Sequence, residues 1–162
     1  GVKKAKFLNY SDNELDTIPL LQIVKDVEKE INSHRPKIIF THHHNDLNID
    51  HRIAYESTIT ASRPLEACPV KSIFSFEAIS SSDWRQPYSF KPNVFVDISN
   101  ELKSKIQALS KYKKEIRNFP HPRSKQTIDA VAKRWGSLYG FKAAEAFELV
   151  MCKTSNFDNL FN

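Results

Sequence analysis

The chain has 162 residues, of which 40% are hydrophobic and 27% are charged, a composition that is typical of a folded globular domain and excludes a disordered chain. No apolar stretch approaches the roughly 20 residues that a membrane-spanning helix requires. The formal net charge is +5, but acidic residues are interspersed among the basic ones, as in residues 25–30. The basic excess therefore favours solvated helix faces over a nucleic-acid surface.

The chain contains two cysteines, Cys68 and Cys152. Their number and separation provide neither a disulfide framework nor a metal-binding Cys pair. A reducing, cytoplasmic setting is therefore the expected one.

The first half of the chain is predicted to alternate between strands and helices. Residues 5–9 are predicted to form a short strand. Residues 20–35 carry apolar side chains at helical spacing and end at an Arg-Pro pair. An apolar run at residues 37–41 is typical of a buried strand, and a helix is expected from about residue 50 to residue 62.

The second half continues the alternation. A loop rich in Ser and Pro is predicted at residues 79–92, and helices are predicted over residues 100–116 and 124–135. Three further strands are expected at residues 72–77, 94–98 and 146–150.

Strands that alternate with helices predict an α/β fold, with a mostly parallel sheet flanked by helices. A chain of this length can bury a substantial core, so residues 1–152 are expected to form a single domain. Residues 153–162 are expected to form a flexible tail.

The most informative segment is the polar loop at residues 41–51, between a predicted strand and a predicted helix. Open α/β sheets bind their ligands at loops of this kind. Imidazole is the commonest metal ligand in proteins, and a neighbouring carboxylate can orient it. The loop therefore predicts a metal-dependent enzyme. Its histidines and aspartates are His42, His43, His44, Asp46, Asp50 and His51.

The pair Asp50-His51 admits two interpretations. Asp50 can cap the following helix, which would place His51 in the first turn, where the helix dipole disfavours a charged ring and leaves it ready for a cation. The alternative is a plain cap followed by a surface histidine. The three consecutive histidines 42–44 cannot all face one ion, because alternate side chains at a strand end point in opposite directions.

Residues 36–41 followed by residues 45–52 resemble the second signature of the LmbE-like, or PIG-L, zinc-dependent de-N-acetylases. Residues 7–12, 119–124 and 143–147 resemble further motifs of that family, so the likeness extends over nearly the whole chain. The resemblance implies a Rossmann-like α/β fold. It also implies a zinc-dependent hydrolase that removes the acetyl group from an N-acetylglucosamine-type sugar or its conjugate.

The resemblance also implies roles for individual residues. His51 is then a zinc ligand, and Asp50 is a neighbouring carboxylate that supports it or handles a proton. Asn48 stands where many members carry a histidine that serves as general acid or oxyanion donor. An asparagine can donate a hydrogen bond to an oxyanion but cannot transfer a proton. Asp12 would contact the hydroxyl groups of the sugar.

Arg123 and His121 complete the set of expected substrate-binding residues. Arg123 could bind a phosphate or carboxylate of the substrate, or it could pair with a carboxylate of the protein. The proton for the leaving amine could come from His121, His43 or His44, and the sequence does not choose among them.

The family's His-Pro-Asp-Asp motif, which supplies two zinc ligands and the general base, does not occur in these 162 residues. A catalytic zinc ion needs about three protein ligands and an open position. The resemblance therefore implies the C-terminal part of a longer deacetylase domain, without its first strand or strands, that is inactive or nearly inactive by itself.

The alternative is a sugar-binding module of the same fold that lacks catalysis. An N-acetylated sugar is the expected partner of either version, and neither nucleic acid nor a membrane is expected. The chain could also form a homo-oligomer or associate with an N-terminal fragment.

Overall fold

The structure, a computed structural model, describes residues 2–156. The part of the predicted tail at residues 157–162 lies outside the described residues. Within the described range, no helix is both long enough and apolar enough to cross a membrane. After a short 3-10 helix at Leu15–Thr17, the elements in chain order are α1 (Leu20–His34), β1 (Ile38–His42), α2 (Ile49–Ala61), β2 (Ser72–Phe76), β3 (Val94–Asp97), α3 (Leu102–Leu109), α4 (Lys125–Leu138) and β4 (Ala144–Cys152).

The four strands form one sheet in the order β1-β2-β4-β3. β1 and β2 are parallel, whereas β4 is antiparallel to both of its neighbours, β2 and β3. The predicted α/β fold is confirmed, but the sheet is mixed rather than mostly parallel. The reason lies in the connections. A single helix, α2, joins the parallel strands β1 and β2. Two helices, α3 and α4, lie between β3 and β4, and the chain then enters β4 antiparallel to β3 and β2.

Two predicted elements differ from the structure. Residues 5–9 are extended but have no strand partner among residues 2–156, and Phe7 is 80% exposed there. The helix predicted over residues 100–116 is α3, which ends at Leu109. Ser110 closes it by donating from its backbone amide and its hydroxyl to the carbonyl of Ile106, at 3.0 Å and 2.6 Å. Turns follow at residues 110–115.

The apolar faces of α1 and α2 pack on one side of the sheet. The centre of this cluster is Ile31 with Val70 and Ile73, which are 0–5% exposed, and Ile39 and Ile59 pack around them. Burying each aliphatic side chain of this size contributes about 1.5–3 kcal/mol. This packing fixes α2 against β1 and so positions the loop between them.

A second, smaller cluster joins α3 and α4 to the segment that leads into β4. Leu102, Ala132 and Ala143 are buried there. Gly136 of α4 comes so close to this segment that a Cβ atom on it would lie 2.7 Å from backbone atoms of Ala143 and Phe141. Glycine is therefore the residue that permits this approach.

We expect Gly136→Ala to lower the free energy of unfolding by about 1–3 kcal/mol, because the crowded atoms are backbone and cannot rotate away. Urea denaturation followed by circular dichroism measures the change. Ser137→Ala, on the exposed side of the same helix, is the control and should change the stability by less than about 0.5 kcal/mol. Equal stability of Gly136→Ala and the wild type would contradict the close approach.

Candidate active-site cleft

An open cleft of about 730 Å³ lies at the carboxyl ends of β1 and β2. Because these two strands are parallel, their last residues, His42 and Phe76, meet at the same edge of the sheet, and both line the cleft. This is the edge at which the sequence places its His-rich loop. The volume falls within the range of small-molecule sites. Other lining side chains are His51, Glu77, Arg123 and Glu145.

Asp46 holds the loop after β1 in place. Its side chain is fully buried, and its carboxylate accepts hydrogen bonds from the hydroxyls of Ser81 and Ser82 and, at 2.9 Å, from the backbone amide of Asn48. Burial by itself raises the pKa of Asp46, but His51 and these donors outweigh it and hold the pKa well below its usual range. Asp46 is therefore ionised at neutral pH.

His51 is positioned by Asp46 on one side and by His42 on the other. Its Nδ1 lies 3.1 Å from Asp46 Oδ1, and its side chain remains 24% exposed. The two atoms are in contact but make no hydrogen bond of regular geometry. The His42 ring stacks on it, with centroids 4.0 Å apart. Burial, together with the charge of His51, lowers the pKa of His42 to about 4, so His42 is neutral at pH 7. The Nε2 atom of His51 is the ring nitrogen left for a ligand.

Asn48, rather than Asp50, caps α2, so the sequence-based prediction of the cap was wrong. Asn48 Oδ1 accepts from the backbone amide of Asp50 at 2.8 Å, and Asn48 Nδ2 donates to Asn13 Oδ1 at 2.9 Å. The Asp50 carboxylate instead accepts from the backbone amides of Asn13 and Leu15, at 2.7 Å and 3.0 Å. Because Asp50 sits inside the first turn, its carboxylate points at this earlier segment, and the carboxylate beside His51 is Asp46.

Asp12 lies in the same neighbourhood as Asn48 and Asp50 but not on the cleft. Its side chain is exposed and accepts a hydrogen bond from Asn13 Nδ2 at 3.2 Å. Asn13 in turn contacts both Asn48 and Asp50. The structure thus brings the predicted substrate-binding turn to the start of α2, while the contact of Asp12 with a sugar stays a prediction.

Arg123 lines the cleft, and its guanidinium is already engaged. Its Nε donates to Ser80 Oγ at 2.5 Å, and its Nη1 pairs with the Glu115 carboxylate. Of the two roles that the sequence left open, the structure shows the pairing with a carboxylate. His121 is not among the side chains that line the cleft. Its Nδ1 accepts from the backbone amide of Arg123 at 3.0 Å, and its ring packs edge-on against Trp84.

Glu77 is a cleft residue that the sequence did not single out, because it follows a strand with no motif around it. Its carboxylate accepts from Trp135 Nε1 at 3.3 Å and from the Tyr88 hydroxyl at 2.9 Å. Burial raises the pKa of Glu77 above its ordinary value, although both hydrogen bonds oppose the rise. Nearby, Glu145 pairs with Lys105.

A separate group of side chains could hold a metal ion. Within residues 2–156, one group of three histidine or acidic side chains has its ligand atoms within 4.8 Å of one another, and its members are His43, His44 and Glu148. His42 is turned away from this group and stacks on His51. His42 therefore lies apart from the other two histidines, as the alternation of side chains predicted, whereas His43 and His44 lie in one group although they are consecutive. The predicted ligand His51 is not part of this group.

The sequence comparison supports the predicted family. Residues 1–62 match the family model described as PIG-L: GlcNAc-PI de-N-acetylase. The resemblance to PIG-L and LmbE-like de-N-acetylases is therefore confirmed for the segment that carries the predicted signature. No curated protein sequence matches the chain.

Solved structures of the same fold include a deacetylase, a hydratase and a protein described only as conserved. N,N'-diacetylchitobiose deacetylase from Pyrococcus horikoshii matches with a TM-score of 0.72 and 21% identity, over 99% of this chain and 63% of its own. The conserved protein TT1542 from Thermus thermophilus matches with a TM-score of 0.67 and 21% identity, over 92% of this chain and 66% of its own. GalB, the 4-carboxy-2-hydroxymuconate hydratase from Pseudomonas putida KT2440, matches with a TM-score of 0.64 and 15% identity, over 84% of this chain and 61% of its own.

These structural matches establish the fold of the chain. The chain spans about two thirds or less of the length of each solved structure. Because a deacetylase and a hydratase share the fold, the site residues have to decide between chemistries.

We expect Asp46→Ala to lower the free energy of unfolding by about 2–4 kcal/mol, because it removes the acceptor of several buried donors at once. Urea denaturation at pH 7 measures the loss. Asp16→Ala, at an exposed aspartate, is the matched control and should stay close to the wild type. A loss no larger than that of the control would show that Asp46 does not anchor the loop.

We expect Glu77→Gln to remove a component of the pH dependence of stability. Since the folded state raises the pKa of Glu77 above 4.5, the folded protein holds this proton more tightly, and the wild type loses stability as pH rises from about 4.5 through the folded pKa. The amide stays neutral and can still pair with Trp135 and Tyr88, so Glu77→Gln should equal or exceed the wild type in stability at pH 8.

Urea titrations between pH 4.5 and pH 8 test the Glu77 prediction. Glu77→Ala, which leaves the Trp135 and Tyr88 donors without their acceptor, should be destabilised at every pH. Parallel pH profiles for the wild type and Glu77→Gln would contradict the raised pKa.

Proposed function

We propose that this chain supplies the cleft and one zinc ligand of a hydrolase that removes the N-acetyl group from an amino sugar or its conjugate. One observation carries the proposal: His51 stands on the cleft with its Nδ1 against the buried, ionised Asp46 and its Nε2 left for a ligand. The match of residues 1–62 to a de-N-acetylase family includes this whole loop and supports the same reaction class.

His51 fits a zinc ligand for a physical reason. A histidine that binds a metal through one ring nitrogen usually has its other nitrogen next to a carboxylate or carbonyl, which fixes the ring and raises its basicity. Asp46 is in that position, 3.1 Å away. Zinc, when bound, polarises the amide carbonyl and lowers the pKa of a bound water.

The remaining roles fall to side chains near His51. We propose Asn48 as a donor to the developing oxyanion, because an amide nitrogen has two hydrogens and its bond to Asn13 uses one of them. We propose Asp50 as the proton-handling carboxylate, within a segment that its bonds to residues 13–15 hold rigid. Asp12 would then bind a sugar hydroxyl at the rim.

Arg123 and His121 are proposed at the substrate side of the cleft. The Arg123 guanidinium binds the Glu115 carboxylate. It could exchange that carboxylate for an anionic group of the substrate, because a guanidinium binds carboxylates and phosphates with the same pair of N–H groups. His121 would act through Arg123, because its ring accepts from the Arg123 backbone and shapes that turn.

We further propose that the 162-residue chain alone releases acetate slowly or not at all. A catalytic zinc ion needs about three protein ligands, and the group of three close ligand atoms found in the described part of the chain excludes His51. Activity would then need a polypeptide that also supplies the missing His and Asp. The alternative, a sugar-binding module without catalysis, is consistent with the same cleft.

Acetate release from N,N'-diacetylchitobiose and from N-acetylglucosamine, with sugar binding measured by calorimetry, tests these proposals. The 162-residue chain is expected to show little release, and a polypeptide that adds the His-Pro-Asp-Asp segment is expected to show robust release. A robust rate from the 162-residue chain would overturn the proposed incompleteness. Sugar binding without release from either polypeptide would favour the binding module.

In the active polypeptide, Asp46→Asn is expected to lower zinc affinity or the rate of acetate release by about 10- to 100-fold, because it weakens the partner of His51 Nδ1. His51→Ala should lower both further. His34→Ala, which changes an exposed histidine on α1, is the control and should leave both unchanged. Full activity of His51→Ala would exclude His51 as the zinc ligand.

A further inference from the structure

We propose that His43, His44 and Glu148 form a second binding site, for a divalent transition-metal ion such as Zn²⁺. The ligand atoms of these three side chains lie within 4.8 Å of one another. Four-coordinate zinc with ligands at about 2.1 Å places them about 3.4 Å apart. Closing the group around an ion therefore needs the ligand atoms to approach one another by at most about 1.4 Å. The proposal does not depend on the deacetylase function.

The burial of His43 is the first observation that points to a ligand. The residue is 1% exposed, and its Nε2 lies 3.0 Å from Ser89 Oγ. Its Nδ1 lies 3.0 Å from Glu148 Oε2 but makes no hydrogen bond of regular geometry with any described residue. A buried ring nitrogen without a hydrogen bond is costly, and a bound cation would satisfy it.

The orientation of the His43 ring relative to Glu148 is compatible with a cation that both residues bind. Because Nδ1 and the Glu148 oxygen are close but poorly aligned, a proton on Nδ1 would not point at that oxygen. A cation bound by both atoms would lie off the line that joins them. His44, whose ring centroid is 4.2 Å from that of His43, then supplies the third ligand.

Glu148 is held for this role by the sheet and by the loop after Ser89. Ser75 Oγ donates to Glu148 Oε2 at 3.3 Å, and the backbone amide of Lys91 donates to Oε1. The Glu148 side chain is 17% exposed, so little water compensates its charge. Such supporting hydrogen bonds fix a carboxylate ligand in place.

The donor set determines the class of ion. Two imidazoles with one carboxylate suit zinc and its neighbours, including Co²⁺ and Ni²⁺, whereas Mg²⁺ and Ca²⁺ prefer oxygen ligands alone. His44 is exposed, which gives the ion a path from solvent and leaves a fourth position for water. The ion would tie the loop after β1 to β4.

The experiment titrates the 162-residue chain with CoCl₂, followed by visible absorption, and with ZnCl₂, followed by calorimetry. The wild type should bind one ion at this site with a nitrogen- and oxygen-ligand spectrum, and Zn²⁺ should raise the Tm. His44→Ala and Glu148→Gln should each weaken this binding at least 10-fold. His34→Ala is the matched control, because it removes an exposed histidine elsewhere.

His51→Ala separates this site from the cleft. Binding that survives His51→Ala and is lost in His44→Ala supports the second site, whatever the outcome of the deacetylase assay. Unchanged binding in both His44→Ala and Glu148→Gln, or binding lost only in His51→Ala, would overturn the proposal. Circular dichroism confirms folding, and because His44 is exposed, His44→Ala tests the site even if Glu148→Gln does not fold.

Discussion

The buried carboxylate of Asp46 is the interaction on which the rest of the cleft depends. A fully buried charge is tolerated only when polar partners surround it. Here Ser81, Ser82 and the backbone amide of Asn48 donate hydrogen bonds to the carboxylate, and the His51 ring approaches it to 3.1 Å. The carboxylate thereby fastens the loop after β1 to the segment after β2 and to the first turn of α2. The Asp46 carboxylate thus positions all three segments relative to one another.

The strand geometry then divides the histidines of this loop between two places. His42, the last residue of β1, faces the cleft and stacks on His51, whereas His43 faces Glu148. Successive side chains at a strand end point in opposite directions, which separates His42 from His43. Beyond the end of the strand the alternation stops, and His44 lies on the same side as His43. One short loop thus carries histidines of both the proposed catalytic site and the proposed second metal site.

The fold by itself does not identify the chemistry. It is shared with a chitobiose deacetylase and with a hydratase at 15–21% identity, so the reaction has to be argued from the side chains on the cleft. The local sequence match over residues 1–62 and the Asp46–His51 contact both support the proposed de-N-acetylase chemistry.

The sequence by itself determined the features that depend on local pattern. The periodicity of apolar residues located α1, β1, α2 and β2 to within a few residues, and the loop at residues 41–51 carried the family signature. The sequence pattern could not show that β4 lies between β2 and β3, because strand order depends on contacts between residues that are far apart in the chain. Through the family resemblance, the sequence also named Asp50 as the carboxylate that supports His51 or handles a proton.

Only the tertiary structure decided which carboxylate serves which group. Asp50 turns back to the amides of Asn13 and Leu15, while Asp46, five residues before His51, reaches the ring through the loop's fold. Glu148 meets His43 across more than a hundred residues of chain. The physical reason is common to all three: a carboxylate is stabilised by the donors that folding brings around it, and each of these carboxylates accepts from at least one group far away in the chain.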